Sequence, residues 1–292
     1  MNKTVLKYDG MGSTLIILHL IAFSGLFIIT KPKILTIIFQ FILWYFATIA
    51  LMAGYHRLWS HRTHEASSVL QGFYAFFGVV ASQHSALWWA KAHRAHHRNE
   101  EQPGDPYNIK KGFYNAHIGW LIHGNDKKEK EEINKTDITD LEKNKILKIQ
   151  HDYFTLLWIM VNILIILIPF VFWKEGIINS FFINTIRIIF GLHNTYFVNS
   201  ATHYYGSDRP YNKKIGACEN LWVSIYGLGE GWHNYHHTYP KDYRASEPHK
   251  FNPTAWFINF TKYLGLSKNH YIKGNKEIPT NQRFNTDYYI KT

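Results

Sequence analysis

Four long runs carry almost no charge. Residues 13–30 and 34–53 contain none, Phe154–Trp173 contains none, and 177–198 contains only Arg187. Each run comes close to the roughly 20 residues that a helix rising 1.5 Å per residue needs to cross a hydrocarbon core of about 30 Å. One such run could be a buried core helix of a soluble protein; four in one chain point to membrane spans. Lys3 and Lys7 precede the first run in the manner of a secretory signal. Its length, the lack of a small-residue cleavage site and the second run close behind argue against that reading.

The runs are paired. Lys31-Pro32-Lys33 joins the first two and Lys174-Glu175-Gly176 the last two, and connections this short impose hairpins. The N-terminus, residues 54–153 and residues 199–292 therefore share one side of the membrane. They hold most of the Lys and Arg, so the positive-inside rule assigns them to the cytosol. A fifth apolar stretch, 69–89, is broken by Gln71, Gly78, Ser82, Gln83 and His84 and is expected to be an interfacial helix. Residues 125–144 are dense in Lys, Glu and Asp and are expected to be a solvated helix or loop. The polar tail after Lys273 is expected to be loosely ordered. The predicted fold is a single-domain, all-α membrane protein: four transmembrane helices in two hairpins, with a cytosolic helical cap.

The chain has 292 residues, a net charge of +11 and a pI near 9.4. That balance suits an anionic partner such as a membrane surface or a phosphorylated ligand. Nucleic acid is disfavoured by the length of the apolar runs. Cys218 is the sole cysteine, which excludes an intrachain disulfide and a thiolate zinc cluster. Histidine, at 18 residues, is abundant. A metal site here would be built from imidazole and oxygen ligands.

Three histidine boxes stand out: His56-Arg57-Leu58-Trp59-Ser60-His61, His93-Arg94-Ala95-His96-His97 and His233-Asn234-Tyr235-His236-His237. Helical positions i, i+3 and i+4 lie within about 60° of one another, so His93, His96 and His97 can converge, as can His233, His236 and His237. His56 and His61, five apart, stand about 140° apart on a straight α-helix. They can share a site only if the helix ends, bends or presents them obliquely. His203 is a ninth candidate, with Asn199 one turn before it. Nine imidazoles exceed the six positions of an octahedral ion and suit two metals. Imidazole alone leaves iron, copper, zinc and nickel open.

These boxes resemble those of the membrane fatty acid desaturases, most closely the acyl-CoA Δ9 group. The resemblance extends through Asp105-Pro106, His117-Ile118-Gly119-Trp120, Asn199-Ser200-Ala201-Thr202-His203, Gly229-Glu230-Gly231-Trp232 and Tyr239-Pro240-Lys241-Asp242-Tyr243-Arg244. It implies two non-haem iron ions held by His56, His61, His93, His96, His97, His203, His233, His236 and His237, with Asn199 approaching one iron through water. His117 would help orient a ligand or simply pack beside Trp120. The reaction implied is insertion of a cis double bond into a saturated C16/C18 acyl-CoA. An unactivated methylene has no acidic proton, so its hydrogens must be removed oxidatively, by dioxygen with two external electrons. Those electrons would come from a separate cytochrome b5 and its reductase, or from ferredoxin, since no histidine-proline-glycine-glycine haem motif is present. The CoA phosphates would meet Lys91, Arg94, Arg98, Lys110, Lys111 or Arg244 on the cap. Trp44, twelve residues before His56, is expected to close the acyl tunnel. Two departures fall near the cap surface: the segment 206–211 runs one residue long, and Asn212 stands where an acidic residue is usual. The implied location is the endoplasmic reticulum membrane in a eukaryote and the inner membrane in a bacterium. An acyl-lipid desaturase, a hydroxylase and an aldehyde-forming oxidase are the related alternatives. A histidine-rich metal transporter is the alternative from another class, but it would carry its ligands inside the spans, where only His19 and His193 lie.

Overall fold

A computed structural model describes residues 11–274 of the chain. The expectations for the N-terminal Lys3 and Lys7 and for residues 275–292 lie outside them. The first long helix, α1, is Met11–Ile28. The second, α2, runs from Ile34 to Ile49 and continues without a break as a π-helix, Ala50–Ser60. Two further long helices are α9, Phe154–Trp173, and α10, Ile177–Tyr204. Between the pairs lie α3 (Ser68–Val80), α4 (Ala86–Asn99), α5 (Trp120–Ile122), α6 (Lys127–Lys135), α7 (Thr139–Glu142) and α8 (Lys145–Asp152). After α10 come α11 (Leu221–Tyr226), α12 (His233–Thr238) and α13 (Pro253–Tyr263). Two short strands, β1 (Glu65–Ala66) and β2 (Ser267–Lys268), pair antiparallel and tie the segment after α13 to the segment after the first box.

Among the described residues, three helical stretches are long and apolar enough to cross a membrane: Met11–Ile28, Ile34–Ser60 and Phe154–Trp173. The fourth expected span, α10, is longer but more polar than its run of Ile and Phe suggests. Its inward face buries Asn179, Asn184, Arg187 and Asn194. Asn184 accepts from Arg187 and donates to Asn162 of α9 at 2.9 Å, and Arg187 donates to Val80 O at the end of α3. Buried polar groups among apolar helices pair with one another because no water is there to do so. At the hairpin end, Glu175 Oε2 accepts from Lys33 N and Thr36 Oγ1, both at 2.7 Å, which binds one hairpin to the other.

Two expectations change. Residues 69–89 form not one helix but two, because Ser82 and His84 take positive φ between α3 and α4, and Ser85 caps the second. The charged stretch 125–144 is not merely solvated. It folds as α6 and α7, buries Ile133 and Leu141, and presents Glu132 and Asp140 to arginines of α4.

Candidate metal centre

The π-helix solves the problem of the first box. Its bonds run from i to i+5, so residues five apart stack over one another. His61 N bonds to His56 O at 3.1 Å, and the two rings lie 4.8 Å apart. Two arginines anchor this unusual turn. Arg57 reaches Glu230 (2.6 and 3.1 Å), Tyr243 O and Asn252 Oδ1. Arg94, on α4, donates to Trp59 O and Ser60 O, carbonyls that the helix end leaves without partners. Its remaining bonds go to Asp137 O and both oxygens of Asp140.

All nine candidate histidines converge, in two groups. His56, His61, His93, His97 and His236 form one, and His96, His203, His233 and His237 the other. Within each group the facing nitrogens lie within 4.8 Å of one another. Each group draws on several elements, so only the folded chain assembles it. The Nε2 atoms of His61 and His93 are 2.8 Å apart. Those of His56 and His236, His236 and His97, and His237 and His233 are each 3.0 Å apart.

Five of the opposite ring nitrogens face acids or a phenol. His96 Nδ1 bonds Asp105 at 2.8 Å, His203 Nδ1 bonds Glu101 at 3.2 Å, and His93 Nδ1 bonds the Tyr107 hydroxyl at 3.1 Å. His56 Nδ1 lies 2.9 Å from Glu230 and His237 Nδ1 3.1 Å from Glu100. In those five rings a proton held at Nδ1 leaves the Nε2 lone pair free to take a cation. Nitrogens about 2.1 Å from one ion at right angles stand about 3.0 Å apart, which is the spacing of the close Nε2 pairs. His203 Nε2 is buried without a partner among the described residues. The residues therefore fit a pair of metal ions.

Titration agrees. Burial first, and then the neighbouring imidazoles, hold His61, His93, His97, His233, His236 and His237 well below the ordinary histidine value. They stand as neutral ligands. Burial also opposes charge on His96, but Asp105 outweighs it and raises that ring. Burial pushes Glu230 up, yet Arg57 and His56 hold it at about 2.

The other candidates separate. Asn199 lies half-buried on the wall of an open cavity that also takes in Trp89, Ala92, His93, Leu192 and Tyr196. Trp44 is not on that wall. It is buried against Phe41, Phe190 and Tyr226. Arg94 has all five N–H donors engaged within the chain, so it faces no ligand. Arg98 pairs with Glu132, Arg244 with Asp242, and Lys111 with Asp126 and Glu129. His117 sits apart from both groups, bonded to Ser200 Oγ and His193, both at 2.9 Å. Sequence reasoning missed Glu100, Glu101 and Tyr107 altogether, and gave Asp105 and Glu230 no role beyond their motifs. The acidic pair directly after the second box was the available signal.

Long apolar helices capped by two nests of imidazoles define a class: a helical metal-site protein of membrane type. The chain belongs to the fatty acid desaturase family, whose sequence model matches residues 32–246. It is 40% identical to stearoyl-CoA desaturase 5 of Homo sapiens over 254 residues, 86% of this chain and 77% of the relative. It is 40% identical to Delta(9)-fatty-acid desaturase fat-6 of Caenorhabditis elegans over 253 residues, 85% and 74% of the two chains. Stearoyl-CoA desaturase 2 of Mus musculus is 39% identical over 250 residues, 85% and 68%.

Proposed function

We propose that this chain is an acyl-CoA Δ9-desaturase: it introduces a cis double bond into a saturated C16/C18 acyl chain, consuming dioxygen and two external electrons. The observation that carries the reading is the convergence of nine histidines from four separate stretches of chain into groups of five and four. The similarity to stearoyl-CoA and Δ9 desaturases over most of both chains supports the substrate class.

The nine histidines would hold two iron ions, which when bound supply the oxidising power that a methylene requires. The chain's own residues do the rest. Asp105, Glu100, Glu101, Glu230 and Tyr107 fix the imidazoles with Nε2 inward. Asn199 lines the same cavity as His93 and would hold a water beside a metal ion. The apolar wall of Trp89, Ala92, Leu192 and Tyr196 excludes water and lays an acyl chain past His93. Among the cationic candidates, exposed Lys110 is better placed than Arg94 to meet the CoA phosphates. The four long helices would span the membrane as two hairpins, with the histidine-bearing segments on the cytosolic side. A separate carrier, cytochrome b5 with its reductase or ferredoxin, would deliver the electrons.

Expression in a cell lacking its own desaturase, followed by fatty acid methyl ester analysis, tests the reaction. Δ9 monounsaturated C16 and C18 products are expected. Hydroxylated products would identify a hydroxylase instead, and no change in acyl composition with the protein present in the membrane would overturn the assignment. His236→Ala should abolish turnover and lower iron content while membrane insertion persists. The purified chain should turn over only when a carrier system is added, and turnover with nicotinamide cofactor alone would contradict the need for a carrier.

A further inference from the structure

The segment after α10 was assigned to the cap on its position in the sequence, yet α11 does not sit at cap height. The Tyr226 ring at its end stacks on Trp44 of α2, centroids 6.3 Å apart, and packs against Phe190 of α10 at 4.7 Å. Its hydroxyl bonds Phe190 O. Phe190 precedes His203 by thirteen residues of continuous α-helix, which is about 20 Å along the axis. Trp44 lies near the middle of the apolar stretch Ile34–Ser60. A helix end held against both residues is at the depth of the spans.

The outward side of α11 matches that depth. Leu221, Trp222 and Ile225 are exposed, Trp222 by 79%. The backbone is also provided for. Asn220 caps the start through Val223 N, Ser224 N bonds Asn220 O, and Asn194 Nδ2 donates to Tyr226 O at 2.7 Å. Irregular backbone is tolerated in hydrocarbon only where its polar groups are satisfied by protein. On the opposite flank, α13 shows a second apolar face made of Trp256, Phe260, Tyr263 and Leu264. It is continuous with the spans: Phe257 stacks on Phe73 of α3, and Phe73 packs on Phe46 of α2.

We propose that α11 is a re-entrant element inserted into the bilayer against α2 and α10, with Leu221, Trp222 and Ile225 facing lipid acyl chains, and that α13 is a shallower foot resting in the same leaflet. The proposal rests on the reading of the long helices as spans. It makes lipid the covering of the outward side of α11, so the protein's cap is partly a membrane-buried body.

The sole cysteine is buried, so single reporter cysteines can be labelled selectively. Trp222→Cys and Trp256→Cys, each in the full chain in phosphatidylcholine nanodiscs, are spin-labelled and tested for broadening by oxygen and by a water-soluble nickel chelate. Leu164→Cys, exposed on α9, reports lipid, and Lys128→Cys on α6 reports water. The label at 222 should match Leu164, with loss of nickel broadening, and the label at 256 should lie between the two controls. Nickel access at 222 equal to that at Lys128, while Leu164 stays shielded, overturns the insertion of α11. Nickel access at Leu164 as well overturns the span reading beneath it. Shielding at 222 that vanishes after a second copy or a co-purified protein is stripped away assigns the face to protein, which also overturns the proposal.

Discussion

Arg94 sits in the second histidine box, where a cation could meet a substrate phosphate, but it is a brace. Its guanidinium spans the last carbonyls of the π-helix and the Asp140 carboxylate, and it is 5% exposed. Burial raises the Asp140 carboxyl, but Arg94 and Arg62 overcome that and hold it at about 2. Removing one partner of a buried pair leaves the other charge uncompensated, at a cost of about 3–5 kcal/mol. Asp140→Ala should therefore lose roughly that much in denaturant unfolding, whereas Lys148→Ala, in an exposed pair with Asp152, should leave the unfolding midpoint unchanged. Glu100 makes a finer case. Its carboxylate lies 3.1 Å from His237 Nδ1. Carboxylates behind ligating imidazoles commonly account for 10–100-fold in metal affinity. Glu100→Gln should weaken iron retention by about that factor in chelator competition, with unchanged stability of the metal-free chain. Unaltered retention would reduce Glu100 to a bystander. The histidines were legible in sequence because ligands repeat at helical spacing. The acids behind them were not, since Glu100 and Glu101 are ordinary surface residues until the fold turns them inward.

The π-helix is the element that sequence could not supply. Nothing in the composition of Ala50–Ser60 distinguishes i→i+5 from i→i+4 bonding, and the awkward spacing of His56 and His61 follows from it. The π-turn packs closely on α3. At Gly54 an added Cβ would stand 2.6 Å from Tyr74 Cβ, and at Gly78 it would stand 2.3 Å from the Tyr55 ring. The two glycines let α3 press directly on the π-turn. Gly54→Ala must separate them, and overpacking of this kind costs about 1–3 kcal/mol. Because His56 and His61 both ride on that turn, the five-histidine group should lose its metal first, leaving close to half the wild-type iron content. Full iron content with lowered stability would show that the turn is stiff enough to keep its ligands in place. The long helices, by contrast, were legible to within a few residues, because an uninterrupted apolar run allows few other structures. The exception is α10, whose inward asparagines and Arg187 are hidden in a window average.

At the scale of the whole molecule, the two histidine groups make the fold depend on pH in a direction that can be worked out. Six of the nine, His61, His93, His97, His233, His236 and His237, have folded-state values well below the ordinary 6.5, chiefly through burial. Below about pH 6.5 the unfolded chain binds protons that the folded chain refuses, so folding stability falls as pH falls. The loss starts near the unfolded value and continues down to the depressed folded ones. Each such group contributes up to about 1.4 kcal/mol per pH unit in that window. His96, raised by Asp105, acts with the opposite sign: its stabilisation is full below the unfolded value and is lost as pH rises through the folded one. One group cannot offset six, so the metal-free chain should be acid-labile from about pH 6.5 downward. Bound metal competes with the same protons and shifts that loss to lower pH. The check is a pair of denaturation series from pH 8 to pH 5, one on chelator-stripped protein and one on iron-loaded protein, both in the same detergent. The stripped series should fall steeply below pH 6.5 and the loaded series should lag behind it. A stripped protein whose midpoint stays level from pH 7 to pH 5 would mean that these imidazoles are hydrated and apart in the metal-free chain, and that the metal assembles the nest.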